Sequence, residues 1–292
     1  VNIGWKNPID GRTYGLEDFD ALSGIVPEPV LRAMTAKAKE DTRHSGTNIT
    51  ITAGLGCPRQ ILVHRMLPIA QDPTKMWVMQ RGTWLHEMIG MRMGENEEWW
   101  SEESDVDNCE YSGKLFGIDM SCRVDALRKD YGVLVDWKFR KDFAERWVDA
   151  QGRAKAEDAA QVNMARMLIE QNIGRSLDSM EMYIWVMAGE MKRTRAAWMS
   201  EQDVGNVRPG GGKYTIAENF RMLDESMRAW KTMAASHGDD LYAVPEAQCR
   251  KLIDVLPMVG ETMYQRRNEP SLNKCTQYCE VQDECYKCGG GL

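Results

Sequence analysis

The sequence predicts an α/β protein with a mixed β-sheet core flanked by helices. Three observations carry this. Ser121–Arg140, SCRVDALRKDYGVLVDWKFR, reads as two short strands, Cys122–Leu127 and Val133–Phe139, joined by a polar turn that ends in Gly. Phe143–Ile173 reads as a helix whose apolar face carries Ala159, Val162, Ala165, Met167 and Ile169, with Gln161 near its start. Met180–Met187, MEMYIWVM, is an apolar strand suited to a sheet interior. With an alternating stretch at Tyr111–Ser121, the order is β-β-β-α-β, which makes a mixed sheet with helices packed on it.

The hairpin also carries chemistry. A loop over Lys129–Gly132 pairs Arg128 with Val133, and counting outward sets Asp125 opposite Asp136. Side chains alternate along a strand, so Asp136 and Lys138 share one face while Val135 and Trp137 take the other. Asp136 ends the apolar run Val133-Leu134-Val135, where a carboxylate is costly unless something compensates it. A hard divalent cation, Mg²⁺ or Mn²⁺, is one answer, with Lys138 orienting a water for phosphodiester hydrolysis. A half-exposed hairpin with a surface salt bridge is the other, and Asp-x-Lys spacing alone does not choose between them.

The remaining elements follow in order. Residues 1–46 read as an arm on the core, with a helix over Pro29–Arg43. In Thr47–Leu67, Thr50 or Thr52 caps a helix, or Gly54-Leu55-Gly56 loops into one that starts at Pro58, with Cys57 at its N-terminus. Met76–Met93 reads as a helix in which His86 has Gly82 and Gly90 at i−4 and i+4, leaving its face open to a neighbour or a metal. Glu95–Glu110 is strongly acidic and reads as a solvated loop or edge. Gly205–Tyr214 is a Gly-rich loop without Walker spacing, Ala217–Ser236 an amphipathic helix, and Leu252–Arg267 mostly loop with one helix.

Composition sets bounds. The 292 residues suffice for one large domain or a core with a small second lobe. No run approaches the roughly 20 apolar residues of a membrane span and no secretory signal opens the chain, so a cytoplasmic protein without membrane partners is expected. The net charge of −7 argues against a uniformly basic nucleic-acid coat but leaves room for a local basic groove. Of eight cysteines, four crowd the last eighteen residues as Cys275-x₃-Cys279-x₅-Cys285-x₂-Cys288. This density favours ligation in a reducing compartment: Zn²⁺ on those four, or an iron–sulfur cluster taking three of them and one from afar.

Taken together, these residues resemble the RecB-like branch of the PD-(D/E)XK nucleases, and within it the iron–sulfur exonucleases of CRISPR systems and phages. The matching pieces run in the family's order from Gly56 to Cys285: Gly56-Cys57-Pro58-Arg59, Gly82–His86, Arg123-Val124-Asp125, Asp136-Trp137-Lys138, Gln161, then Cys275, Cys279 and Cys285. The resemblance implies a restriction-endonuclease-like core over 76–215. It implies a helical lobe over 47–75 and 216–292, tied by a [4Fe–4S] cluster on Cys57, Cys275, Cys279 and Cys285. It implies Mg²⁺ or Mn²⁺ on His86, Asp125, Asp136 and the carbonyl of Trp137, with Lys138 positioning the attacking water and Gln161 holding the lysine or the DNA. The expected activity is metal-dependent exonucleolytic cleavage of DNA, at single-stranded ends, in recombination, repair or phage DNA processing. A helicase, an integrase or a recombination protein is the partner to expect. The family's Tyr four residues after its Gln is Ala165 here, and Cys288 is a surplus ligand that keeps the four-cysteine zinc site open. The alternative reading is a DNA-end-binding or assembly module built on the nuclease fold.

Overall fold

The computed structural model describes residues 2–40, 48–140, 153–186, 191–256 and 285. It is a mixed α/β protein with three sheets. The largest has five strands in the order β11-β10-β9-β8-β5: β5 (Trp99–Ser101), β8 (Ala126–Arg128), β9 (Val133–Arg140), β10 (Ser179–Val186) and β11 (Met191–Arg195). Strand β10 runs parallel to β9, and its other neighbours in the sheet pair antiparallel. The parallel pair needs a crossover, and α5 (Ala156–Ile173) lies within it.

The central hairpin pairs as expected. Ala126 faces Val135 and Leu127 faces Leu134, the register that sets Asp125 opposite Asp136. Its loop is closed by Asp130, whose Oδ1 accepts from Arg128 Nε (2.7 Å) and from the Gly132 amide (2.8 Å). The expected first arm, Cys122–Leu127, is not one strand. Residues up to Arg123 belong to β7 (Ile118–Arg123), which pairs with β6 (Glu110–Leu115) and β3 (Ile49–Thr50) in a separate sheet. The chain changes sheets at Val124-Asp125. Alternating burial continues through this step, so the pattern alone hides it.

The acidic stretch, expected as a solvated loop or edge, forms a sheet edge. Trp99 and Trp100 form the edge strand β5, and α4 (Val106–Cys109) follows. The expected helix from Phe143 falls partly on residues outside those described; 153–155 are not helical, and the helix begins at Ala156. Of the stretch Leu252–Arg267, residues 252–254 end α8 (Glu246–Asp254), and 257–267 lie outside the described residues. Within Gly205–Tyr214, the short α6 (Glu201–Asn206) takes the first two residues.

Among the described residues, three apolar clusters hold these layers. The main one joins α5, β6, β7, α2 (Pro58–Met66), α8 and α7 (Ile216–Ala235) around Leu134, Met164, Leu168, Phe220 and Trp230. A second packs the opposite face of the large sheet, through Ala126, Val135 and Trp137, on α3 (Pro73–Gly94) at Ile89 and Met93. The third belongs to the N-terminal residues, which form more than an arm. Strand β1 (Asn2–Lys6) pairs with β2 (Thr13–Tyr14) and, in parallel, with β4 (Ile69–Gln71). Trp5, Leu22 and Val26, with Leu31 and Met34 of α1 (Glu28–Glu40), then close a small core against Trp77 and Trp84. Among the described residues no helix is long and apolar enough to cross a membrane.

One close approach ties α7 to the segment before α2. A Cβ on Gly54 would stand 2.3 Å from the Phe220 ring, and the Asn219 side-chain amide donates to the Gly54 carbonyl at 3.1 Å. Phe220 is fully buried and stacks on Phe116, so it has nowhere to move. Gly54→Ala should therefore cost about 1–3 kcal/mol by overpacking, measured by urea unfolding.

Candidate active site

The hairpin's acids and amine converge where β8 separates from β9. Asp125 stands just before β8, where the Trp137 amide of β9 has no backbone acceptor on that strand. The Asp125 carboxylate takes that place, with Oδ2 accepting from Trp137 N at 2.8 Å. The Asp125 carbonyl is held in turn by the Glu102 amide, 3.2 Å away, at the end of β5. This fixes Asp125 from both flanks and leaves Oδ1 facing His86 of α3, whose Nδ1 is 3.3 Å away. His86 reaches the site edge-on to Phe139, with ring centroids 5.0 Å apart.

Alternation along β9 places Leu134 and Asp136 toward α5, and Val135 and Trp137 toward α3. Lys138 shares the α5 side: its Nζ donates to Asp136 Oδ1 (2.8 Å) and to Gln161 Oε1 of α5 (3.0 Å). An ammonium has three donors, so one remains for a water or an anionic oxygen. Asp136 and Lys138 are each only 14% exposed at the side chain. The other oxygen, Asp136 Oδ2, is buried without a hydrogen-bond partner. Asp125, Asp136 and Gln161 line one small cavity, and Arg123 and Ala165 are among the other residues of its wall.

An orphaned, buried carboxylate oxygen is expensive, and the cost appears in its acidity. Burial pushes Asp136 up to about 6; the Lys138 ammonium pulls it back, and Asp125 and Asp158 push it further up. The folded chain therefore binds this proton more tightly than the unfolded chain. Stability falls as pH rises from about 4 to 6, where this buried carboxyl is forced to ionise. In chelator, Asp136→Asn should thus melt higher than the parent at pH 7.5, and the gain should vanish near pH 4.

The same orphaned oxygen fits a cation. His86 Nδ1 and Asp125 Oδ1 also stand near the separation of about 3.0 Å expected for neighbouring ligands on one octahedral ion. Among the described residues, no three His, Cys, Asp or Glu side chains are drawn together as a complete ligand set, so His86, Asp125 and Asp136 are not yet closed on one point.

No protein-family model and no curated protein matches the chain. Solved structures similar to it include the following two. The crystal structure of SSO0001 is 12% identical, with a TM-score of 0.43 over 62% of this chain and 83% of that one. A candidate exonuclease from Eubacterium rectale is 15% identical, with a TM-score of 0.24 over 65% of this chain and 64% of that one. Neither likeness is close enough to carry an argument about chemistry, which rests on the geometry above.

The cysteines divide. Cys57 is buried and N-caps α2, whose first helical residue is Pro58. Arg59, two residues on, is 2% exposed; its guanidinium donates to the carbonyls of Leu256 (2.8 Å) and Cys285 (3.5 Å). The backbone at Cys285 thus lies at the start of the helix that Cys57 caps. Cys275, Cys279 and Cys288 lie outside the described residues. Cys109 and Cys122 are structural: burial pushes both thiols up to about 12, far from nucleophilic use. The sequence places Arg123 beside the site only as part of Arg123-Val124-Asp125, and gives its contact with Glu102 no signal.

Proposed function

We propose that the chain is a divalent-cation-dependent nuclease of the RecB-like PD-(D/E)XK type that hydrolyses phosphodiester bonds in DNA, at single-stranded ends. One observation carries this reading: Lys138 is held between Asp136 and Gln161 while the second oxygen of Asp136 is buried without a partner beside Asp125. A structural salt bridge would satisfy that oxygen or expose it.

Asp125, Asp136, His86 and the Trp137 carbonyl would hold Mg²⁺ or Mn²⁺. When bound, the cation supplies Lewis acidity toward a phosphate oxygen and a nucleophile at neutral pH. Asp136 orients Lys138 through Oδ1, and Gln161 fixes the ammonium from the helix side, so the free N–H has one direction to point. That donor can hold the attacking water or the phosphate oxygen on which charge builds. Asp125 closes the sheet where β8 begins and so keeps its carboxylate rigid.

The same proposal includes a [4Fe–4S] cluster on Cys57, Cys275, Cys279 and Cys285, tying the tail to α2. The helix N-terminus that Cys57 caps and the buried Arg59 nearby favour an anionic group there. A helicase, an integrase or a recombination protein would deliver the ends. The test is a purified chain, prepared without oxygen, with Mn²⁺ and an end-labelled single-stranded oligonucleotide. Shortened products absent in chelator support the reading; binding without cleavage indicates an assembly module instead.

A further inference from the structure

The stretch from Glu95 to Glu110 holds eight acidic residues, and it borders a site proposed to receive a polyanion. Two of those acids are engaged with one arginine. Arg123, the last residue of β7, sends Nη1 to Glu102 Oε1 (3.4 Å) and Nη2 to Glu110 Oε2 (3.1 Å). Among the described residues it is the one cation lining the cavity of Asp125, Asp136 and Gln161. Glu102 also holds the Asp125 carbonyl through its own amide, so Arg123 and Asp125 share a support. The Arg123 side chain is 32% exposed and that of Glu110 50% exposed.

We propose that Arg123 is a strand-binding residue of this site. It contacts a phosphate next to the one being cleaved, and Glu110 and Glu102 neutralise it until that phosphate replaces them. The inference rests on the nuclease reading of the cavity. Its physical basis is the guanidinium fork. The two terminal nitrogens already serve two separate carboxylate oxygens, and two oxygens of one phosphate satisfy the same pair of donors. An ion pair as exposed as Arg123–Glu110 is weak, so a phosphodiester brought in by the rest of the strand can displace it.

The test measures binding of a fluorescent single-stranded oligonucleotide to the full chain carrying Asp136→Asn, across a salt series. Adding Arg123→Ala should weaken binding about tenfold. It should also reduce the salt slope of log K by about 0.7, the increment for one phosphate contact on a single strand. Arg123→Lys should keep the slope. Glu110→Gln should tighten binding a few-fold and stands as the test by itself if Arg123→Ala fails to fold. In cleavage by chains with Asp136 intact, Arg123→Ala should raise KM and leave kcat within a few-fold. A salt slope unchanged by Arg123→Ala, or no tightening from Glu110→Gln, overturns the assignment. If the parent chain cuts DNA and those results are flat, only Arg123 is misassigned. If the parent chain neither binds nor cuts, the nuclease reading has failed and takes this inference with it.

Discussion

Lys138→Ala is expected to reduce Mn²⁺-dependent DNA cleavage by about a thousandfold or more while leaving oligonucleotide binding near the parent value. The ammonium is 14% exposed and makes two hydrogen bonds that hold it over the buried acid, so its loss removes the donor without opening the sheet. Fold should survive, because β9 is anchored by backbone pairing to β8 and β10 and by Leu134, Val135 and Trp137 on its two faces. Circular dichroism and melting establish that independently of activity. Gln161→Ala should give a smaller loss, since the lysine keeps Asp136. Parent-level cleavage by the Lys138 variant would remove the lysine from the chemistry.

The second large effect concerns the cysteines. The parent chain purified anaerobically should be brown and carry about four irons per chain, and Cys57→Ala should lose nearly all of both. The melting temperature should fall with them, because a group shared between α2 and the tail adds its binding free energy to folding. Stoichiometric zinc in a colourless protein would instead indicate the local site on Cys275, Cys279, Cys285 and Cys288. Arg59 reaches the carbonyls of both Leu256 and Cys285, so this part of the tail stays near α2 under either metal.

The centre of this molecule was legible because its local chemistry is strong. Asp130 and Gly132 fix the hairpin loop, the loop fixes the register, and the register puts Asp125 across from Asp136. Strand alternation then sets Asp136 and Lys138 on one side, and the helix after the hairpin delivers Gln161 to them. What could not be read was long-range. The step of the chain from one sheet to another at Asp125 leaves the burial alternation unbroken, and only tertiary pairing with β3 and β6 reveals it. The parallel pairing of β1 with β4 joins segments separated by α1 and carries no local signal. Strand β5 hid in an acidic run because its two tryptophans are flanked by glutamates, whose charge dominates the composition. For the same reason the partnership of Glu102 and Glu110 with Arg123 had to be seen rather than inferred.

The proposed chemistry needs one cation gripped at the cavity that Asp125 and Asp136 line between β9 and α5. The direct measurement is anomalous diffraction at the manganese edge from crystals of the full chain equilibrated with Mn²⁺. It should show one strong peak within about 2.2 Å of a carboxylate oxygen of Asp125 and the buried Oδ2 of Asp136, with His86 turned toward it. An empty cavity at saturating Mn²⁺, or a peak held only by other residues, would contradict it.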